Sequence, residues 1–296
     1  MSPFQGVLMS NLPTLNRPQI NISYQFVYVL LISCLCGLGF RGLPTQPWSY
    51  DDLLHIEVGK KAQTDFSHVF DSSAKEPTRW TLNIYFFLAY RIFGEAPSGY
   101  HTVNIFLHTL NSLLCAQLCL VLFHKPIFAS LNGILFAIHC APYEAVYEIS
   151  ASGILIGTAF AIICVLFSLK FLMEGKIQYL LGATGAFATA VLSYETLVSI
   201  FLPILFLCWK YGKQNRYRPW WLPVLLLGVA GLLALLDVLV YQTATWKMEF
   251  NAITFGFHAP YNLFFFVSRL LINAHFTPFG WDIPAPFDVP LHLFDW

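Results

Sequence analysis

The chain has 296 residues, 57% of them hydrophobic and only 11% charged, with no formal net charge at pH 7. A soluble domain carries about 25% charged residues, so a chain this poor in charge lacks the polar groups to cover a water-facing surface. The balanced charge also excludes the basic footprint of a nucleic-acid partner. The composition therefore predicts an all-α polytopic membrane protein with about seven to eight transmembrane helices. It is read as one domain over residues 1–296, with a first external loop at 42–99 and an external C-terminal segment at 243–296.

Residues 1–22 are polar and bear prolines, and are read as a tail on the membrane face. The first span is predicted at Ser23–Phe40. It is expected to be retained rather than cleaved, because the run is long for a signal sequence and lacks a cleavage site. The loop that follows is too long for a simple connector. Within it Trp80–Phe93 is apolar and aromatic but shorter than the ~20 residues of a spanning helix, which predicts an interfacial helix. Further spans are predicted near Gly99–Phe123, Ile127–Ala141, Ser152–Leu172 and Ile177–Leu192, then, after the turn Ser193–Thr196, a span to about Trp209 and a last one near Trp220–Tyr241. Beyond them lie a polar and aromatic stretch, Gln242–Pro260, and an apolar helix, Tyr261–Asn273, that carries Arg269.

Lys and Arg in short loops set orientation. Lys125, the pair Lys170 and Lys176, and the run Lys210 to Arg218 fall on one side of seven alternating spans, together with Arg17. That side is expected to be cytoplasmic. The Asp51-Asp52 loop, the Glu144/Glu148 turn, the Glu195 turn and Gln242–Pro260 then share the external side. The seven cysteines lie mostly inside apolar runs, without the spacing of a metal site or a disulfide framework. They read as small packing residues.

Asp51 and Asp52 are the first candidates for chemistry. A carboxylate at the membrane boundary can act as general base toward a hydroxyl, and carboxylate oxygens also suit a divalent cation, although no ligand set of metal spacing accompanies them. The pair equally fits a solvated loop or the cap of a helix starting at Leu53. His101, Asn104, His108 and Asn111 are spaced i, i+3, i+7 and i+10, one stripe of a helix, and polar groups there must meet protein or water. The upper two are read as lining a site, the lower two as interhelical hydrogen bonds. Glu144 and Glu195 suit sugar or phosphate ligands, or simply solvated turns. Asp237 sits near the outer end of the last span, and an intramembrane carboxylate is a default suspect. No phosphate-binding Gly-rich loop, serine elbow or HExxH motif is present.

Four patterns occur in order. Tyr50-Asp51-Asp52 follows the first span. An Arg79-led segment runs to Gly94-x-x-Pro97-x-Gly99-Tyr100-His101, and then to His101-x-x-Asn104-x-x-x-His108. Phe136-Ala137-Ile138-His139 precedes Glu144-Ala145-Val146. Leu192-Ser193-Tyr194-Glu195 precedes a span with Pro203. Together they resemble the C-type integral-membrane glycosyltransferases, in the branch of the protein O-mannosyltransferases and their tetratricopeptide-containing relatives. The resemblance covers about Tyr24 to Tyr241. It departs at Cys140, where the family has Pro, at Tyr194, where it has Lys, at Trp80, where it has Pro, and in the absence of a basic residue near Ser150–Ile154.

The resemblance implies transfer of a sugar from a polyprenyl-phosphate donor to a protein or glycan acceptor on the external or lumenal side, with inversion. Asp51 or Asp52 is the base it implies, with His101, Asn104, His139, Glu144 and Glu195 shaping the pocket and Arg79 or Arg269 meeting the phosphate. The lost basic positions favour an alternative, a non-catalytic membrane scaffold or partner subunit on the same fold.

Overall fold

The structure is a computed structural model that describes residues 22–70, 79–139, 142–212 and 221–241. The described residues are all-helical, without strands. Among the described residues ten α-helices follow one another: α1 (Ile22–Gly39), α2 (Tyr50–Ala62), α3 (Trp80–Phe93), α4 (Pro97–Phe123), α5 (Pro126–Ile138), α6 (Tyr143–Tyr147), α7 (Ser152–Glu174), α8 (Ile177–Ser193), α9 (Phe201–Gly212) and α10 (Trp221–Tyr241). Short 3₁₀ turns at Leu43–Thr45, Phe66–Phe70 and Glu195–Ile200 join some of them. Tyr261–Asn273, Arg269 and Gln242–Pro260 lie outside the described residues.

Local chemistry fixes the boundaries. Pro97 and Pro126 open α4 and α5, where a missing N–H is harmless and the fixed φ is already helical. Gly175 ends α7 at φ 68°, a left-handed conformation that closes the helix onto the Phe171 carbonyl. Among the described residues two helices, α4 and α7, are by length and composition apolar enough to cross a membrane. Phe26–Gly39, α5, α8 and Trp221–Leu233 are apolar but shorter.

Several large apolar side chains face outward. On α5, Ile127, Leu131, Leu135 and Ile138 are each more than half exposed, as are Phe26, Leu30 and Leu38 on α1. Inside, Asn104, His108, Asn111, Ser112, Ser168 and Ser193 are fully buried. The lower part of the predicted stripe makes interhelical bonds: Asn111 Nδ2 donates to the Leu155 carbonyl at 2.9 Å, and His108 Nε2 lies 3.1 Å from the Ala137 carbonyl. A carbonyl only accepts, so the His108 proton sits on Nε2.

Helix α7 packs along α8, and α4 packs on α5 and α7. The largest apolar cluster lies where α7, α8, α9 and α10 meet, around Cys164, Phe187, Ile204, Cys208 and Leu222. The described cysteines are all free, four of them buried. At one end of this frame α2 and α3 pack against each other, with Ile56, Leu82, Phe86 and Tyr100 at their shared core. Their contact is close at Gly59, where an added Cβ would stand 2.6 Å from the backbone oxygen of Phe86. Backbone cannot swing away as a side chain does, so Gly59→Ala is expected to pry α2 from α3. It should lower stability by about 1–3 kcal/mol; an unchanged melting temperature in detergent would refute this.

Candidate functional site at the helix mouths

Asp52 anchors the site. It stands in the first turn of α2, which starts at Tyr50 rather than Leu53 because Ser49 and Asp52 form a capping box. One Asp52 oxygen, Oδ2, accepts the Ser49 N–H at 2.8 Å. The other, Oδ1, accepts the Ser150 N–H at 2.7 Å, across to the turn before α7. Asp52 is 1% exposed. Its neighbour Asp51, about 100° further round the helix, is exposed.

Asn104 ties the same turn to α4. Its Nδ2 donates to the carbonyls of Glu148, at 3.1 Å, and Val146, at 3.3 Å, while its Oδ1 faces the Ser152 hydroxyl at 2.6 Å. That hydroxyl also lies 2.6 Å from the Ile149 carbonyl, so its single proton is shared between two acceptors. One turn earlier on α4, His101 is buried within electrostatic reach of Asp52. The Gln46 backbone is near its ring, short of hydrogen-bond geometry, and both ring nitrogens are without a partner. The Tyr85 hydroxyl is buried in the same region, and burial pushes its phenol up to about 12.

Arg79 stands at the N-cap of α3. Its Nε donates to Glu195 Oε2 and its Nη2 to Glu195 Oε1, both at 3.0 Å, a bidentate fork between residues 116 positions apart. The guanidinium carbon lies 4.6 Å from the centre of the Tyr194 ring. Burial acts to raise the Glu195 carboxyl, but the Arg79 hydrogen bonds and charge outweigh it and hold the carboxyl below its ordinary range. Within electrostatic reach of both Arg79 and Asp52 is His55, stacked on Phe86 with ring centres 5.1 Å apart. Burial, and then the Arg79 charge, lower His55 to about 4, so it is neutral at physiological pH.

Glu148 completes the acidic side. Burial raises its carboxyl, and Glu144, Asp52 and Asp51 raise it further. A carboxyl raised in the fold opposes folding when ionised. That penalty is present above its folded value and is relieved as pH falls through it. Glu148→Gln should therefore raise the melting temperature at neutral pH, with the gain fading toward the ordinary carboxylate range. A gain that stayed constant down to acid pH would contradict this account.

Asp51, Asp52, Arg79, His101, Asn104, Glu144 and Glu195 thus come from the α2 start, the α3 start, the α4 start, α6 and the turn after α8, and meet at one end of the bundle. His139 lies at the exposed C-cap of α5. His55, Tyr85, Ser150 and Ser152 join the site without having stood out in the sequence. Among the described residues, no three His, Cys, Asp or Glu side chains are grouped to hold a metal ion. No family model, curated protein or solved structure matches the chain. The reading of the site therefore rests on its own geometry and on the four ordered motifs.

Proposed function

We propose that the protein is a multi-pass membrane glycosyltransferase that takes a sugar from a polyprenyl-phosphate donor to an acceptor hydroxyl on the external or lumenal side. The carrying observation is the convergence just described. Five separated segments bring carboxylates, a guanidinium, an imidazole and amides to the mouth of an otherwise apolar frame. The outward apolar faces of α1 and α5, with polar groups kept inside, are what a bilayer requires of its helices. With about seven spans, the short basic loops fall on the cytoplasmic side and the site on the other. The membrane is the plasma membrane of a bacterium or the endoplasmic reticulum of a eukaryote.

The chemistry divides between the paired residues. Asp52 has each oxygen taken by a backbone N–H, so its role is to position the α2 start against the α7 turn. Asp51, exposed beside it, is assigned the base. It removes the acceptor hydroxyl proton as the acceptor oxygen attacks the anomeric carbon. The bond from that carbon to the donor phosphate breaks, the configuration inverts, and polyprenyl phosphate leaves with its charge met by Arg79.

The test uses purified protein in nanodiscs, supplied with polyprenyl-phosphate hexoses and a panel of hydroxyl acceptors, and reads sugar transfer by mass spectrometry. Turnover by wild type that falls at least about a hundredfold in Asp51→Asn, at equal folded yield, is the expected result. Turnover unaffected by Asp51→Asn would remove Asp51 from the chemistry. No turnover or donor binding, with co-purification of a larger membrane enzyme, would instead support the scaffold alternative.

A further inference from the structure

The Arg79–Glu195 fork has a consequence for how an anionic ligand enters. The two elements that carry it are far apart in the chain, Arg79 at the start of α3 and Glu195 in the 3₁₀ turn Glu195–Ile200 after α8. The guanidinium side is largely covered, with 15% of the Arg79 side chain exposed, while 49% of the Glu195 side chain is exposed. Tyr194 lies against the face of the guanidinium and fixes its plane. The carboxylate is therefore the more solvent-exposed and more displaceable partner.

A guanidinium edge presents two parallel N–H donors, and a carboxylate or a phosphate uses that edge in the same bidentate way. Glu195 occupies the Nε and Nη2 donors at 3.0 Å each. A phosphate arriving at this edge meets a site that is already filled by a like-charged group. The two cannot share it, because like charges held a few ångströms apart repel.

We propose that Glu195 is an internal stand-in for phosphate, and that the phosphate group of a lipid displaces it from Arg79 on binding. This rests on reading the mouth as a lipid-phosphate site. It makes Glu195 a competitor that weakens binding rather than a ligand contact that strengthens it. The exposed carboxylate swings toward water when displaced, and Arg79 keeps its position through Tyr194. Phosphate-free lipids would leave the fork closed.

The experiment titrates the full chain in nanodiscs with farnesyl phosphate and, separately, with inorganic phosphate. Wild type is compared with Glu195→Gln, Glu195→Ala, Arg79→Gln and the Glu195→Gln/Arg79→Gln double variant, each checked by melting temperature. Loss of the competitor is expected to tighten farnesyl phosphate binding about tenfold in either Glu195 variant, and loss of Arg79 to weaken it in both backgrounds. A purely structural brace would give the opposite sign for Glu195, because loosening the site weakens binding. Binding by folded Glu195 variants that equals or falls below wild type overturns the proposal; if Arg79→Gln still abolishes binding, the lipid-phosphate reading survives. Equal affinity for the two probes overturns the assignment to a lipid. No binding by any form overturns both the stand-in and the reading on which it rests.

Discussion

Asp52→Ala is expected to lower the stability of the protein by about 3 kcal/mol or more, while Asp51→Asn leaves it unchanged. The two residues are adjacent and chemically identical, so the difference must come from their surroundings. Asp52 is buried and accepts two backbone N–H bonds, one from each oxygen, at 2.8 and 2.7 Å. Removing it leaves the Ser49 and Ser150 donors without partners, and an unsatisfied buried donor costs more than the bond itself was worth. It also unties α2 from the turn that leads into α7. Asp52→Asn should fall between, because an amide offers one acceptor oxygen and turns an NH₂ toward the second donor. Thermal unfolding of the three variants in one detergent measures this. A melting temperature for Asp52→Ala equal to that of wild type would mean that the two bonds do not hold the α2 start. The division of roles between the carboxylates would then lose its basis.

The helical frame was legible because its signals are local. Apolar runs mark the helices, and Trp80–Phe93 is a helix at its predicted limits, whereas Pro97, Pro126 and Gly175 set helix ends that lie just outside the predicted bounds at Gly99, Ile127 and Leu172. Helix α2 starts at Tyr50, ahead of the Leu53 start that an aspartate cap would give. The Ser49-x-x-Asp52 spacing was the missed signal, since it is the pattern of a capping box. The stripe from His101 to Asn111 was legible as a polar face. Its partners were not, because the groups it meets are the carbonyls of Val146, Glu148, Leu155 and Ala137. A backbone carbonyl is the same at every residue, so nothing in the sequence names it. Arg79 and Glu195 could each be suspected alone, but only the fold brings residues 116 positions apart onto one fork. Tyr85 and Ser152 are common residue types in apolar segments, and no spacing distinguishes them from packing.

Asn104→Leu is expected to be the more damaging change in the frame itself, with a loss of roughly 3–4 kcal/mol in apparent stability. The side chain is fully buried, and leucine has the same branching and number of heavy atoms, although its methyl groups are bulkier, so shape alone would largely accommodate the exchange. The hydrogen bonds would not. Asn104 is a polar link between α4 and the segment from α6 to the start of α7, through the Val146 and Glu148 carbonyls and the Ser152 hydroxyl. The Ser152 proton can turn wholly to the Ile149 carbonyl, which softens one loss. The two carbonyls fare worse in a buried, apolar setting: the Val146 carbonyl loses its amide partner, and the Glu148 carbonyl keeps the Ala151 N–H, at 3.3 Å. Released, the α6 segment would carry Glu144, Glu148 and the Ser150 N–H away from Asp52, so the loss of stability should be accompanied by a collapse of any donor binding. Asn104→Asp separates the two effects. It keeps the acceptor toward Ser152 but sets a carboxylate against two carbonyls, and should be at least as destabilising as leucine. If Asn104→Leu melted with wild type and Asn104→Asp did as well, the α6 segment would be held by its apolar contacts at Ala145 and Val146 instead, and the amide would be a passenger in the site.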